Sequence, residues 1–211
     1  MSLIAKEGAT FEPVLEGVHQ GVAYAIYDLG TQYNEVFGKS SHKAVIIWEL
    51  ATERMQIEKD GETLDLPRVV SKQYTLSLGD RANLRKDLES WRGKTFTPEE
   101  LKGFDIHKLL GANCMIQIIH KSKDGKTYAN ISAILPLYKG MKKLEPENPT
   151  VIYSLDQGEP PETTPKWIVD LIHKSQEWQE THGDSPEERP SYDDEPPPNM
   201  GEEDRTGEVP F

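Results

Sequence analysis

The sequence predicts a mainly β domain: a five-stranded barrel with one helical insertion, then a C-terminal helix and a disordered acidic tail. Two observations predict it. Apolar residues alternate through three successive runs, switch once to helical spacing, and return to alternation in a last pair of runs. Charge is segregated too. The chain carries a net −12, yet residues 68–143 hold 15 Lys or Arg against 7 Asp or Glu. A hydrophobic content of 36% and a mean hydropathy of −0.65 are low for 211 fully packed residues, so part of the chain is expected to lie outside the core.

Residues 1–17 read as a loose arm, because Gly8, Pro13 and Gly17 break any period. Strand one runs from Val18 to Asp28 and stops at Leu29-Gly30-Thr31. A polar loop follows over residues 31–42, exposing Tyr33 and Phe37. Strand two is Lys43 to Leu50, resuming near Met55-Gln56-Ile57 before the Asp60-Gly61 turn, and strand three is Arg68 to Leu78. Leu84, Leu88 and Trp91 then stand at i, i+4 and i+7, with Gly93 as a stop, and make a short amphipathic helix. Thr97-Pro98-Glu99-Glu100 is a capping box, and Ile106 to Gly111 adds a final helical turn. Strand four, Cys114 to His120, and strand five, Lys126 to Leu137, form a hairpin around Asp124-Gly125.

Beyond the fifth strand, Thr150 to Leu155 suits one more edge strand, and Thr164-Pro165-Lys166-Trp167 opens a helix that docks on the barrel. From Gly183 onward periodicity ends, and Pro196-Pro197-Pro198 sits amid dense acid. The expected boundaries are an arm at 1–17, a barrel at 18–143, an extension at 144–182 and a tail at 183–211. Five strands with a helix between the third and fourth is the plan of an OB barrel.

The motifs argue against several chemistries. The sequence holds no phosphate-binding glycine loop, no His-Glu-x-x-His and no paired-cysteine metal spacing, so no catalytic residue, metal or cofactor is expected. The single cysteine, Cys114, lies in an apolar run and reads as a buried core thiol. His120 is the one histidine within a basic segment, and reads as a hydrogen-bonded structural residue or a DNA contact. No apolar run is long enough to cross a bilayer, and the N-terminus lacks a signal pattern; a cytoplasmic protein is expected.

A single-strand binder needs cations for phosphates and flat side chains on which bases stack. Arg68, Lys72 and Tyr74 alternate along strand three and share a face. Arg81, Arg85 and Lys86 follow on the helix. Lys121, Lys123 and Lys126 surround the last hairpin turn, with Tyr128 just after it. OB proteins grip nucleic acid with strands two and three and with the loops joining strands one–two and four–five. Tyr33, Phe37, Lys39 and Lys43 belong to the first loop, and Trp48 to strand two. Several of these residues also have a plainer reading. Trp48 and Trp91 suit a core, Lys121 and Lys123 a solvated turn, and Arg68 and Lys72 an edge protected against aggregation.

The tail holds ten carboxylates against two arginines in residues 183–211, a net −8, and closes on Asp204 to Glu208 followed by Val209-Pro210-Phe211. Phe211 with its carboxylate fits an apolar pocket with a basic rim, so Asp204, Glu208, Val209, Pro210 and Phe211 form the expected partner-binding unit. This ending resembles that of bacterial and bacteriophage single-stranded DNA-binding proteins, which finish in acidic residues and a hydrophobic Pro-Phe or Phe. Tyr27-Asp28-Leu29-Gly30-Thr31-Gln32, Pro67 to Lys72, Asn83 to Lys94 and Gly125 to Asn130 give the body, over residues 16–178, a similar look to OB-type phage replication or recombination proteins. The resemblance implies sequence-independent binding of single strands in phage DNA replication, recombination or repair, inside a bacterial host. It also implies recruitment of replication or recombination proteins by the tail. The long helical insertion departs from the compact tetrameric type and leans toward a monomer or dimer. Two rivals stay open: an acidic interaction protein or DNA mimic that binds a host protein, and a small DNA-processing enzyme.

Overall fold

The computed structural model describes residues 12–59, 61–123 and 125–183. Three long strands come first: β1 (Gly17–Asn34), β2 (Lys39–Lys59) and β3 (Glu62–Thr75). Helices α1 (Asn83–Arg92) and α2 (Pro98–Leu101) follow, then a 3-10 turn at Ile106–Leu109. The hairpin β4 (Asn113–Lys123) and β5 (Lys126–Pro136) completes the main sheet. A short β6 (Val151–Tyr153) and helices α3 (Lys166–His173) and α4 (Gln176–His182) close the described chain.

The strands form one curled sheet in the order β3-β2-β1-β4-β5, antiparallel throughout, with β6 added parallel to β1. The result is a half-barrel. Helix α1 lies against β5 and β3, the two ends of the strand path. Its Leu84, Leu88 and Trp91 are buried, as their spacing predicts. Gly93 ends it in the left-handed region at φ 65, a conformation that costs a non-glycine residue strain. The capping box forms as well: the Thr97 hydroxyl accepts from Glu100 N, and Glu100 Oε2 accepts from Thr97 N.

The sheet is covered on both faces. On the inner face Trp48 meets Trp91 at a centroid distance of 5.7 Å, surrounded by Ile26, Leu88, Ile116 and Ile134. On the outer face Ala25, Tyr27, Leu29, Val45 and Ile47 pack under Tyr153, Ile168, Ile172 and Trp178. The C-terminal extension therefore supplies a second layer, and its single expected helix is two, broken at Ser175, whose hydroxyl caps α4. Gly30 makes this docking possible. It sits at φ 67, and a Cβ there would lie 2.5 Å from Ser175 Cβ.

Three other expectations change. The loop foreseen over 31–42 is a hairpin, because β1 continues to Asn34 and pairs Tyr33 with Ser40 and Thr31 with His42. Strand two is continuous, the apparent gap after Leu50 being a register shift against β3. The end of the arm is tied down: Val14 is buried, and its carbonyl lies 2.8 Å from His120 Nε2. Residues 1–11 and the tail from 184 onward lie outside the described residues.

Candidate nucleic-acid interface

Asn34 builds the tip of the β1–β2 hairpin. Its side-chain oxygen accepts the backbone N–H of Val36 at 3.0 Å and of Phe37 at 3.2 Å, and Gly38 turns the chain at φ 59. This turn holds apolar side chains in solvent: Val36 is 86% exposed, Tyr33 61% and Phe37 51%. Fixed, exposed aromatic residues have the form of a contact surface rather than of a core.

Facing the tip, β3 ends and the chain turns into α1. Between them runs a groove of about 680 Å³. Phe37, Lys39, Ser40 and Ser41 line one wall, Thr75, Ser77 and Gly79 to Asn83 the other, with Lys72, Gln73 and Tyr74 between. Helix α1 enters this wall with no side-chain cap at Ala82 and no carboxylate in its first turn. The unsatisfied N–H groups of a helix start and its dipole both favour anions. Asp80, the one carboxylate lining the groove, is held by Arg85 Nη1 at 2.5 Å.

The groove floor is a closed network. Asp87 Oδ2 accepts from Tyr74 OH at 2.8 Å and from Lys72 Nζ at 2.7 Å. Burial, followed by the Asp87 charge, pushes the Tyr74 phenol well above its ordinary value. Tyr74 is 3% exposed and has no ring face to offer a base. That corrects its assignment as a stacking residue. The inner face of β3 is core there, and the alternation that grouped Lys72 and Tyr74 points both toward Asp87 of α1. Trp48 is not a stacking residue either, being fully buried against Trp91.

The structure thus gathers Phe37, Lys39, Lys72, Tyr74 and Arg81 around one groove, with Tyr33 and Lys43 on the hairpin that carries its wall. Lys86 is exposed on α1, while Arg85 is occupied by Asp80 and Glu89. Arg68 donates to the carbonyls of Glu12 and Arg54. Lys121, Lys123 and Lys126 stand exposed at the β4–β5 tip with Tyr128 half-buried, apart from the groove lining. The expected partner-binding residues Asp204, Glu208, Val209, Pro210 and Phe211 lie outside the described residues. Sequence reasoning missed Ser40, Ser41, Gln73, Thr75 and Ser77, uncharged polar residues whose types carry no spacing signal. Cys114 is buried, as expected, and burial raises its thiol pKa far out of the reactive range.

A second cleft of about 430 Å³ adjoins the groove at Ser77. Its lining includes Asp28, Asp105, Lys102, Phe104 and His107. Two carboxylates make it a poorer place for phosphate than the groove. Among the described residues no group of three His, Cys, Asp or Glu could hold a metal ion, and no helix is long and apolar enough to cross a membrane. No family model matches this chain, and neither a curated protein nor a solved structure matches it.

Proposed function

We propose that the chain binds single-stranded DNA without sequence preference, through an OB-type half-barrel whose working surface is the groove between the β1–β2 tip and the β3–α1 turn. The observation that carries this reading is the groove's lining: an exposed aromatic held in place by Asn34, cations at Lys39 and Arg81, several hydroxyls, and one carboxylate, Asp80, that Arg85 already holds. The strand order β3-β2-β1-β4-β5, with its helix after β3, supports the OB plan. In this mechanism Phe37 stacks a base, worth about 1–3 kcal/mol. Lys39 and Arg81 neutralise phosphates and release counterions, each contact adding about 0.7 to the salt slope on a single strand. The role belongs to phage DNA replication, recombination or repair, and the acidic segment 183–211 recruits partner proteins.

A fluorescence titration with oligo-dT at two salt concentrations tests the reading. Affinity that falls steeply with salt supports it. Absence of affinity at low salt overturns it in favour of an acidic protein that binds another protein.

A further inference from the structure

The proposed groove is the beginning of a longer path. Just after β5 the chain runs Tyr138-Lys139-Gly140-Met141-Lys142-Lys143, a segment with no share in the core. Tyr138 is 53% exposed and Met141 38%, and the three lysines are exposed. Among the described residues none of these lysines has an ion pair. Exposure here is not looseness. Gln20 Nε2 donates to Lys142 O at 2.8 Å, and the Asn113 side chain both donates to Leu144 O at 2.9 Å and accepts from Leu144 N at 2.8 Å. Tyr138 O accepts Met141 N at 3.0 Å, closing a turn. The backbone is fixed while an aromatic ring and three ammonium groups are left in water, a costly arrangement for a mere connection.

Helix α1 joins this segment to the groove. Its first residue, Asn83, lines the groove, and at its other end a Cβ on Gly93 would lie 3.2 Å from Pro136, two residues before Tyr138. Ten helical residues span about 15 Å. Exposed along that span are Asn83 and Lys86, and Gly93 and Lys94 follow at its end. Cations therefore continue from one site to the other with an aromatic waiting at the far end.

We propose that Tyr138–Lys143 is a second contact for the same single strand, reached from the groove across the exposed side of α1. Tyr138 stacks a base there, and Lys139, Lys142 and Lys143 meet phosphates. This inference rests on the groove reading and adds a length requirement: short oligonucleotides fill the groove alone, and longer ones engage both sites with a gain from effective concentration.

The test is a series of oligo-dT lengths titrated at several salt concentrations, against the full chain and a variant carrying Lys139→Ala, Lys142→Ala and Lys143→Ala. The anchoring bonds use backbone atoms and the Gln20 and Asn113 side chains, so the variant keeps its fold, checked by its melting temperature. The expected result is equal affinity of both proteins for the shortest binding oligonucleotide. For long ones the variant is weaker, with a salt slope shallower by about 2, three contacts at ~0.7 each. Equal slopes at every length overturn the second contact and leave the groove standing. Failure of the wild-type chain to bind any length at low salt overturns the groove reading, and this inference with it.

Discussion

The β1–β2 tip and the strand face of β3 carry the same chemistry in sequence, an aromatic beside lysines, and the structure uses them in opposite ways. Phe37 is 51% exposed and Tyr74 3%. Lys39 stands in solvent, whereas Lys72 is 15% exposed and bound to Asp87 at 2.7 Å. The difference lies in what covers each. Helix α1 lies over the inner face of β3 and brings Asp87 to Lys72 and Tyr74. At the tip Val36 and Phe37 stay exposed, although α4 reaches the adjoining stem, where Gln176 donates to Ser40. A residue pair suited to nucleic acid is thus equally suited to a helix–sheet contact, and only the third dimension decides between them.

Substitutions at the two aromatics sharpen this contrast. Tyr74→Ala removes a buried ring and is expected to destabilise the fold by about 3–5 kcal/mol, the range for large aromatic truncations. Denaturant unfolding measures that loss, and DNA affinity of the remaining folded protein should hold. Phe37→Ala should do the reverse: the midpoint of unfolding stays put and single-strand affinity drops by about 1–3 kcal/mol. If both substitutions lowered only stability, the tip would be ordinary structure.

The cations give a smaller effect of the same kind. Replacing Lys39 and Arg81 together with alanine should reduce the salt slope of binding by about 1.4, two phosphate contacts at ~0.7 each. Lys72→Ala should change the slope less, because Asp87 already neutralises that ammonium. It should instead lower stability by leaving a half-buried carboxylate with one donor fewer. A larger slope change for Lys72 than for the Lys39/Arg81 pair would mean that DNA displaces Asp87.

Much of the architecture is legible in the sequence because it depends on neighbours in the chain. The spacing of Leu84, Leu88 and Trp91, the Gly93 stop and the Thr97 capping box each form as written. The parts that are not legible depend on distant partners. Gly30 reads as the end of a strand but is a bulge inside one, placed where Ser175 approaches from 145 residues away. Cross-strand pairs such as Tyr33 with Ser40 turn an apparent loop into a hairpin. Of the basic residues in 68–143, Arg68, Lys72, Arg85, Arg92 and Lys102 have carboxylate partners, so the surplus counted from sequence overstates the charge offered to a ligand. Of the candidate site, the tip aromatics and Lys39 are legible, and so is a core place for Trp48 as the plainer of its two readings; the burial of Tyr74 is not, because alternation marks a face without saying which side is inside.

The smallest expected effect concerns how the hairpin stem is held below its tip. Glu177 of α4 accepts Thr31 N at 2.7 Å and Thr31 Oγ1 at 2.6 Å, and its Oε1 lies 3.5 Å from His42 Nδ1. His42 Nε2 in turn contacts Asp28 Oδ1 at 2.7 Å. Burial by itself pushes the Glu177 carboxyl up; the two Thr31 hydrogen bonds and the His42 ring outweigh it, leaving the pKa below the ordinary carboxylate value. A carboxyl with a depressed folded pKa contributes its full stabilisation above the ordinary value and loses it as pH falls through the lowered one. The clasp between α4 and the stem should therefore be intact at pH 7 and open only below the usual carboxylate range. The effect is slight because the Glu177 side chain is 39% exposed and water screens it. The Thr31 amide proton donates directly to Glu177, so its NMR shift during acid titration reports the clasp itself. Glu177→Gln should move that shift at pH 7 and flatten its acid transition, while Phe37→Ala leaves both unchanged. A transition of the same midpoint in wild type and Glu177→Gln would assign the proton to another carboxyl and leave α4 held by its other contacts, among them buried Trp178 and the Gln176–Ser40 hydrogen bond.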